Sequence, residues 1–178
     1  AFFFIEDSNW PNAGVYCEKV LDQNPECAEA YVAKLMVELK VSKEEDLGNG
    51  RELLFLMNNY KNAYKFADDT LKARLKGYED KVTAAYYQVW YDRVQQATDE
   101  NTMREIIDKL EQIRDYSNTA EVITYCEQQA DLFHKERLYG EAIYAMKKAV
   151  SDIDYARIIQ QFEELDGYKE SAQMIEEC

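Results

Sequence analysis

Apolar side chains recur every three or four residues along most of the chain, which is the spacing of one face of an α-helix. The first such stripe, within residues 11–22, consists of Ala13, Tyr16, Cys17, Val20 and Leu21. The second, within residues 27–41, consists of Tyr31, Val32, Leu35, Met36 and Leu39. No stretch alternates apolar and polar residues as a half-buried strand does. The pattern therefore predicts an all-α protein.

Turn residues and caps set the predicted helix boundaries. Pro25 ends the first helix and Gly77 ends the third, while Thr98 or Asp99 caps the fifth. The predicted helices span residues 11–22, 27–41, 59–76, 79–97, 100–114, 117–136, 138–149, 152–165 and 168–178. The pattern leaves open whether residues 117–149 form one helix or two.

A pattern of Tyr, Ser or Thr, Ala, Ile and Cys occurs twice, 52 residues apart. Its copies are Tyr116, Thr119, Ala120, Ile123 and Cys126, and Tyr168, Ser171, Ala172, Ile175 and Cys178. Residues 86–126 align with 138–178 at this offset without a gap and with nine identities, eight of them apolar or aromatic. We interpret both segments as copies of one helical unit, which covers its apolar face by stacking on a neighbour. In each copy the alanine is predicted to permit close helix packing, and the tyrosine to cover the turn.

The 178 residues are predicted to form one continuous array. Residues 1–76 hold helix pairs with an insertion near 42–58, where the sequence GNG at 48–50 marks a turn. Residues 77–178 hold the two longer repeats. Only two prolines and six glycines interrupt the chain, as is typical of a mainly helical protein. No apolar run approaches the roughly 20 residues of a membrane span, so we expect no membrane insertion in this segment.

The chain is acidic, and the acidity is uneven. The net charge is −14, of which residues 1–97 contribute −4 and residues 98–178 contribute −10. Because an acidic surface repels phosphate, we expect no nucleic-acid ligand. The charge either serves solubility, which is the favoured interpretation, or attracts a basic partner.

Cysteine spacing argues against a metal site. The four cysteines, at positions 17, 27, 126 and 178, form no CxxC pair, and the chain has a single histidine. A zinc site needs more ligands at closer spacing. Cys126 and Cys178, which occupy matching places in the two copies, are instead predicted to be small buried apolar residues of a protein from a reducing, cytoplasmic compartment. A disulfide between Cys17 and Cys27 is the less favoured alternative.

The sequence lacks the common catalytic motifs. It contains no GxSxG, HExxH or GxxxxGK[ST] segment. His134 is predicted to be a helix-surface or packing residue rather than a base. Adjacent carboxylates such as Glu163 and Glu164 diverge on a helix instead of converging on a substrate. We therefore predict a non-catalytic protein without a cofactor, and an enzyme with an unfamiliar site is the weaker alternative.

Both termini suggest a fragment of a longer protein. The chain begins AFFFIEDSNWP without an initiator methionine, and it stops at Cys178 inside a predicted helix.

Two exposed features are candidates for binding. Trp90 lies on an aromatic-rich helix and is bulkier than Ala142, its counterpart in the second copy. Helix packing is its favoured role, and a docking groove is the alternative. A basic stripe on the predicted helix 59–76 consists of Lys61, Lys65, Lys72 and Lys76. The stripe is either a solvated face, which is favoured, or a surface for an acidic segment.

The segment NWPNAGVYCEKVLDQNPECAEAYVAKLMVEL resembles a tetratricopeptide (TPR) repeat. Ala13, Cys17 and Pro25 match the second helix of that repeat and its terminating proline. The segments NNYKNAYKFADDTL and RLYGEAIYAMKKA resemble further second helices. The sequence departs from the repeat where Lys34 and Leu35 replace the usual Leu-Gly, and its units are longer than the 34 residues of a TPR unit.

The resemblance implies TPR-like antiparallel helix pairs stacked as a short solenoid, in a fragment of a larger bacterial multidomain protein. It further implies a protein–protein interaction or scaffold module with a protein or peptide partner. The alternative is a spacer or regulatory segment that orients another domain. In TPR proteins the first helix of each pair lines a concave binding surface. The binding residues implied on that basis, together with the candidate Trp90, are Glu29, Val32, Met36 and Lys40.

Overall fold

The computed structural model describes residues 1–178 and contains only helices, so the all-α prediction is confirmed. The α-helices are α1 (Phe2–Glu6), α2 (Trp10–Gln23), α3 (Ala28–Leu39), α4 (Asn58–Phe66), α5 (Asp69–Val94), α6 (Glu100–Leu110), α7 (Thr119–Met146), α8 (Asp152–Glu163) and α9 (Ser171–Glu177). Three short 3-10 helices span Glu44–Asn49, Leu54–Leu56 and Glu111–Ile113. The chain divides into two compact units, Ala1–Val89 and Trp90–Cys178, and the predicted boundary at residues 76 and 77 lies within α5.

In the first unit, α3 packs against both α2 and α4. The side chain of Asn9 caps α2 by accepting the Asn12 N–H, and α2 ends just before Pro25, as the sequence predicts. Buried apolar residues of all three helices form one core, whose fully buried members include Ala13, Cys17, Val32, Leu35 and Ala63.

The predicted insertion near 42–58 is folded into this core. Its two 3-10 helices place Leu47 and Leu54 among the fully buried residues. Gly48 lies against α5, because a Cβ atom there would come within 3.3 Å of the Tyr78 ring. A side chain at this position would push the segment away from the helix, so the glycine permits the close approach.

The predicted helix 59–76 is wrong, because the structure divides it into two helices. α4 ends at Phe66, and Ala67 has extended backbone angles. The Asp68 carboxylate then accepts the Leu71 N–H at 2.8 Å and so caps the start of α5. Gly77, predicted to end a helix, lies inside α5, where burial of Leu75 and Val82 outweighs the low helix propensity of glycine.

In the second unit, α7 packs against both α6 and α8, and α8 packs against α9. α7 is a single helix of 28 residues, which answers the question that the sequence left open for residues 117–149. Asp99 caps α6 as predicted, by accepting the Thr102 N–H at 2.9 Å. Near the chain end, Ala142, Ile158, Phe162 and Leu165 form a separate core cluster.

Helix boundaries in this unit recur at the offset of the sequence repeat. α5 and α7 end at Val94 and Met146, α6 and α8 begin at Glu100 and Asp152, and α7 and α9 begin at Thr119 and Ser171. Each pair is 52 residues apart. The capping residues Asp99 and Ser151 are also 52 residues apart. The same offset relates Ser117 and Lys169, which both have positive φ, 52° and 50° respectively. The two segments differ after the middle helix, where Asp166 and Gly167 have positive φ and their counterparts do not.

The repeated alanines do not have the packing role predicted for them. Ala120 and Ala172 are exposed, whereas the residues before them, Thr119 and Ser171, are fully buried. The N–H groups of Thr119 and Ser171 donate to the carbonyls of Tyr116 and Tyr168 at 3.1 and 3.2 Å. The small hydroxyl residue therefore starts the helix and faces the core, and the alanine that follows is turned about 100° toward solvent.

Candidate functional site

The predicted peptide-binding face on α3 is closed. Val32 and Met36 are only 1% and 2% exposed and belong to the core, while Glu29 and Lys40 are exposed. α1 and the 3-10 helix Glu44–Asn49 both pack against α3 and cover this side of it. The structure therefore does not present Val32 and Met36 as the exposed apolar pair that the resemblance implied.

Trp90, the remaining predicted binding residue, is partly buried and contacts cations of its own unit. The Arg93 guanidinium lies 4.6 Å from the centre of the indole ring, and Lys109 Nζ lies 5.9 Å from it. Arg93 also donates to both carboxylate oxygens of Glu105, at 3.1 and 3.0 Å. These cation–π contacts give the ring a structural role that sequence spacing did not reveal.

A polar cleft of about 610 Å³ lies between the start of α6 and the middle of α7. Its lining residues are Thr98, Asp99, Glu100, Asn101, Phe133, Glu136 and Arg137. The Glu100 carboxylate lies 2.8 Å from His134 Nδ1 and 2.9 Å from the Arg104 guanidinium. The hydrogen bond to His134, and then that to Arg104, lowers the pKa of Glu100. His134, predicted to be a surface or packing residue, thus helps to join α7 to α6.

The second carboxylate of this cleft is also paired. Glu136 lies 2.5 Å from Lys169 Nζ and accepts the Tyr168 hydroxyl at 2.8 Å. These bonds lower the pKa of Glu136 and raise that of Lys169. Arg137 pairs with Glu141 at 3.0 Å. Ion pairs therefore hold Glu100, Glu136 and Arg137 of the polar cleft, and the contacts of Glu136 fasten the turn before α9 to α7.

A different cleft, of about 430 Å³, lies in the first unit. We call it the lysine–aromatic cleft, and its lining residues are Phe55, Tyr60, Lys61, Tyr64, Lys65, Lys76 and Glu79. α4 places Tyr60 and Tyr64 on the cleft four residues apart, and Lys61 and Lys65 beside them at the same spacing. Each pair therefore forms a ridge along the helix. Phe55 comes from the 3-10 helix Leu54–Leu56, and Lys76 and Glu79 come from α5.

Aromatic rings form the base and one wall of the lysine–aromatic cleft. Tyr60 is 3% exposed and its hydroxyl donates to the Leu75 carbonyl at 3.3 Å. Burial raises the pKa of Tyr60, and the neighbouring Glu79 carboxylate raises it further, so the hydroxyl remains a donor. The ring of Tyr64, which is 38% exposed, stacks on that of Tyr60 with centroids 6.0 Å apart.

The lysines of this cleft differ in their partners. Lys76 pairs with Glu79 at 2.5 Å and with Asp80 at 3.1 Å, which raises its pKa. Lys61 and Lys65 are exposed, and neither forms an ion pair within 4.0 Å. The predicted basic stripe on one helix is wrong, because α4 and α5 are separate. Three of its four lysines nevertheless line one cleft, Lys61 and Lys65 from α4 and Lys76 from α5.

Other features bear on the class of chemistry. All four cysteines are free thiols, so the alternative disulfide between Cys17 and Cys27 is not formed. No group of three or more His, Cys, Asp or Glu side chains is placed to hold a metal ion. No helix is both long enough and apolar enough to cross a membrane. Comparison of the chain with protein-family models, with curated proteins and with solved structures gives no match.

Proposed function

We propose that this chain is a non-catalytic protein–protein interaction module built from TPR-like helical repeats, and that it works as a scaffold in the cytoplasm. The observation that carries the proposal is the common register of residues 86–126 and 138–178. Helix starts, caps and a central set of buried positions repeat (Ile106/Ile158, Leu110/Phe162, Ile113/Leu165 and Thr119/Ser171), whereas most exposed residues differ between the copies. Repeat proteins combine conserved packing with variable surfaces in this way, and they bind partners through those surfaces.

Two features favour binding over catalysis. Ion pairs hold Glu100, Glu136 and Arg137 of the polar cleft, so a substrate that bound these side chains would have to displace their present partners. Cys17 and Cys126 are fully buried, and burial raises the pKa of both thiols. A buried, protonated thiol is a poor nucleophile.

A structural spacer is the second candidate, and the length of α7 favours it. Its 28 residues extend about 42 Å at 1.5 Å per residue. α7 also packs against both α6 and α8, so one rigid helix makes both contacts. A spacer orients its neighbours without binding a separate partner.

The proposal is tested by affinity capture from the cells that produce the protein, followed by direct binding to each purified candidate. The expected result is a partner that binds in solution with saturable stoichiometry. A charge-reversed surface variant with an unchanged circular dichroism spectrum serves as the matched control. If every candidate fails to bind directly, the interaction module is wrong and the spacer is supported.

A further inference from the structure

We propose that the lysine–aromatic cleft binds an acidic peptide segment that inserts one aromatic or large apolar side chain between Phe55 and Tyr64. The inference rests on the proposed interaction function and specifies the chemistry of the partner. It arises from the convergence of aromatic rings and exposed amino groups on one cleft of the first unit.

The aromatic part of the cleft supplies a site for one apolar side chain. Phe55 is partly buried and Tyr64 is exposed, so both rings offer apolar surface above the buried ring of Tyr60. The Tyr60 hydroxyl is already bonded to the Leu75 carbonyl, so it does not require a polar partner from a ligand. An inserted ring would remove this apolar surface from water, and aromatic anchors in such pockets dominate many interfaces.

The charge of the cleft selects an acidic ligand. Elsewhere in the first unit, Lys34 pairs with Glu18 and Arg74 pairs with Glu44. Lys61 and Lys65 extend from α4 beside the aromatic rings without a carboxylate partner, and Lys65 Nζ lies 4.7 Å from the centre of the Phe66 ring. Carboxylates that flank the inserted side chain would pair with these two amino groups. Lys76 is held by Glu79 and Asp80, which offset its charge, so the positive potential of the cleft comes from Lys61 and Lys65.

The charge of the whole chain limits which acidic ligand is suitable. At a net charge of −14 the protein repels extended polyanions, so a nucleic acid is a poor occupant. A second copy of the chain carries the same net charge and is repelled for the same reason. A short peptide with a few carboxylates places its charge within the local positive field, because salt screens the more distant acidic residues over about 8 Å.

The experiment is selection of random peptides, about a dozen residues long, on the intact chain, followed by titration of an enriched synthetic peptide. We expect enriched sequences to combine several Asp or Glu residues with one aromatic residue. The double variant Lys61→Glu and Lys65→Glu should lower their affinity about tenfold or more, because reversal of paired charges costs several-fold each. Tyr64→Ala should also weaken binding, and affinity should fall as salt rises.

The matched control is Lys147→Glu with Lys148→Glu, which changes the net charge equally at two exposed lysines of the second unit. It should alter affinity less than about twofold, since neither lysine lines the cleft. Enrichment of neutral or basic peptides, or equal binding by the two double variants, overturns the cleft proposal but leaves the interaction module intact. Failure to enrich any peptide also overturns the cleft proposal, whereas the interaction module is decided separately by direct binding of cellular candidates.

Discussion

Thr119 and Ser171 occupy equivalent positions, yet their hydroxyl groups differ in hydrogen bonding. The Thr119 hydroxyl donates to the Tyr116 carbonyl, whereas the buried Ser171 Oγ has no partner. Thr119→Val should therefore cost about 1 kcal/mol of unfolding free energy, the typical net value of a hydrogen bond. Ser171→Ala should be close to neutral or slightly stabilising, because an unsatisfied buried hydroxyl is itself costly. Urea denaturation measures the unfolding free energy of both variants. Equal losses for the two would contradict the difference in hydrogen bonding between these hydroxyl groups.

Ala120 and Ala130 test which small residues of α7 are packed. Ala120 is exposed and Ala130 is fully buried. Ala120→Leu should change the unfolding free energy by no more than about 0.5 kcal/mol, as is usual for surface substitutions. Ala130→Leu should cost about 1–3 kcal/mol, because added methylene groups overfill a packed site. Chemical denaturation of the two variants gives the comparison, and a larger loss for Ala120→Leu would show that the burial is misassigned.

Glu136 and Lys169 should give the second unit a pH-dependent contribution to stability. The pKa of Glu136 is lowered from its ordinary 4.5, so its contribution is present above that pH and is lost as pH falls through the folded-state pKa. The pKa of Lys169 is raised from 10.5, so its contribution is lost only as pH rises beyond that value.

The difference in Tm between the wild-type chain and Glu136→Gln should therefore be constant at neutral pH and shrink below about pH 4.5. Thermal denaturation across this range measures it. Glu127→Gln is a suitable control, because Glu127 lies in the interior of α7, away from the helix ends, and has no ion pair within 4.0 Å. A difference that grows as pH falls would mean that the pair does not form.

At the scale of elements, Gly77 is the clearest departure from the sequence-based prediction. Gly77 lies inside α5, and a Cβ there would meet no atom within 4 Å. Gly77→Ala should stabilise the chain by about 1 kcal/mol, the difference in helix propensity. Gly167→Ala is the contrasting variant, because its φ of 74° should make alanine unfavourable by about 1–2 kcal/mol. Thermal denaturation should shift in opposite directions, and a loss for Gly77→Ala would argue that α5 breaks at this residue.

For the whole molecule, the excess of carboxylates should make stability depend on salt. The chain carries 35 acidic and 21 basic residues, and ion pairs such as Lys169–Glu136 and Arg137–Glu141 are largely exposed. Exposed pairs contribute only about 0–1 kcal/mol each, so screening should relieve more repulsion than attraction. The Tm should therefore rise as sodium chloride is increased from a low concentration, as followed by circular dichroism at 222 nm. A falling Tm would mean that the ion pairs outweigh the net charge.

The sequence by itself determined the helical class, most helix starts and the repeat offset. These features depend on local chemistry: apolar spacing of three to four residues, an Asp or Ser beside a first turn, and identities at a constant separation of 52 residues. Local signals of this kind act within one or two helical turns, so they can be identified without knowledge of the fold.

The tertiary structure alone decided burial and the grouping of side chains from different elements. From the sequence Gly77 resembles a helix end, but in the structure the burial of Leu75 and Val82 favours a continuous helix. From the sequence Val32 and Met36 resemble a binding face, but α1 and the 3-10 helix Glu44–Asn49 pack against α3 in the structure. The lysines of α4 and α5 come together because both helices line one cleft. Such contacts join residues that are distant in sequence, and their free energy depends on packing geometry that no local pattern contains.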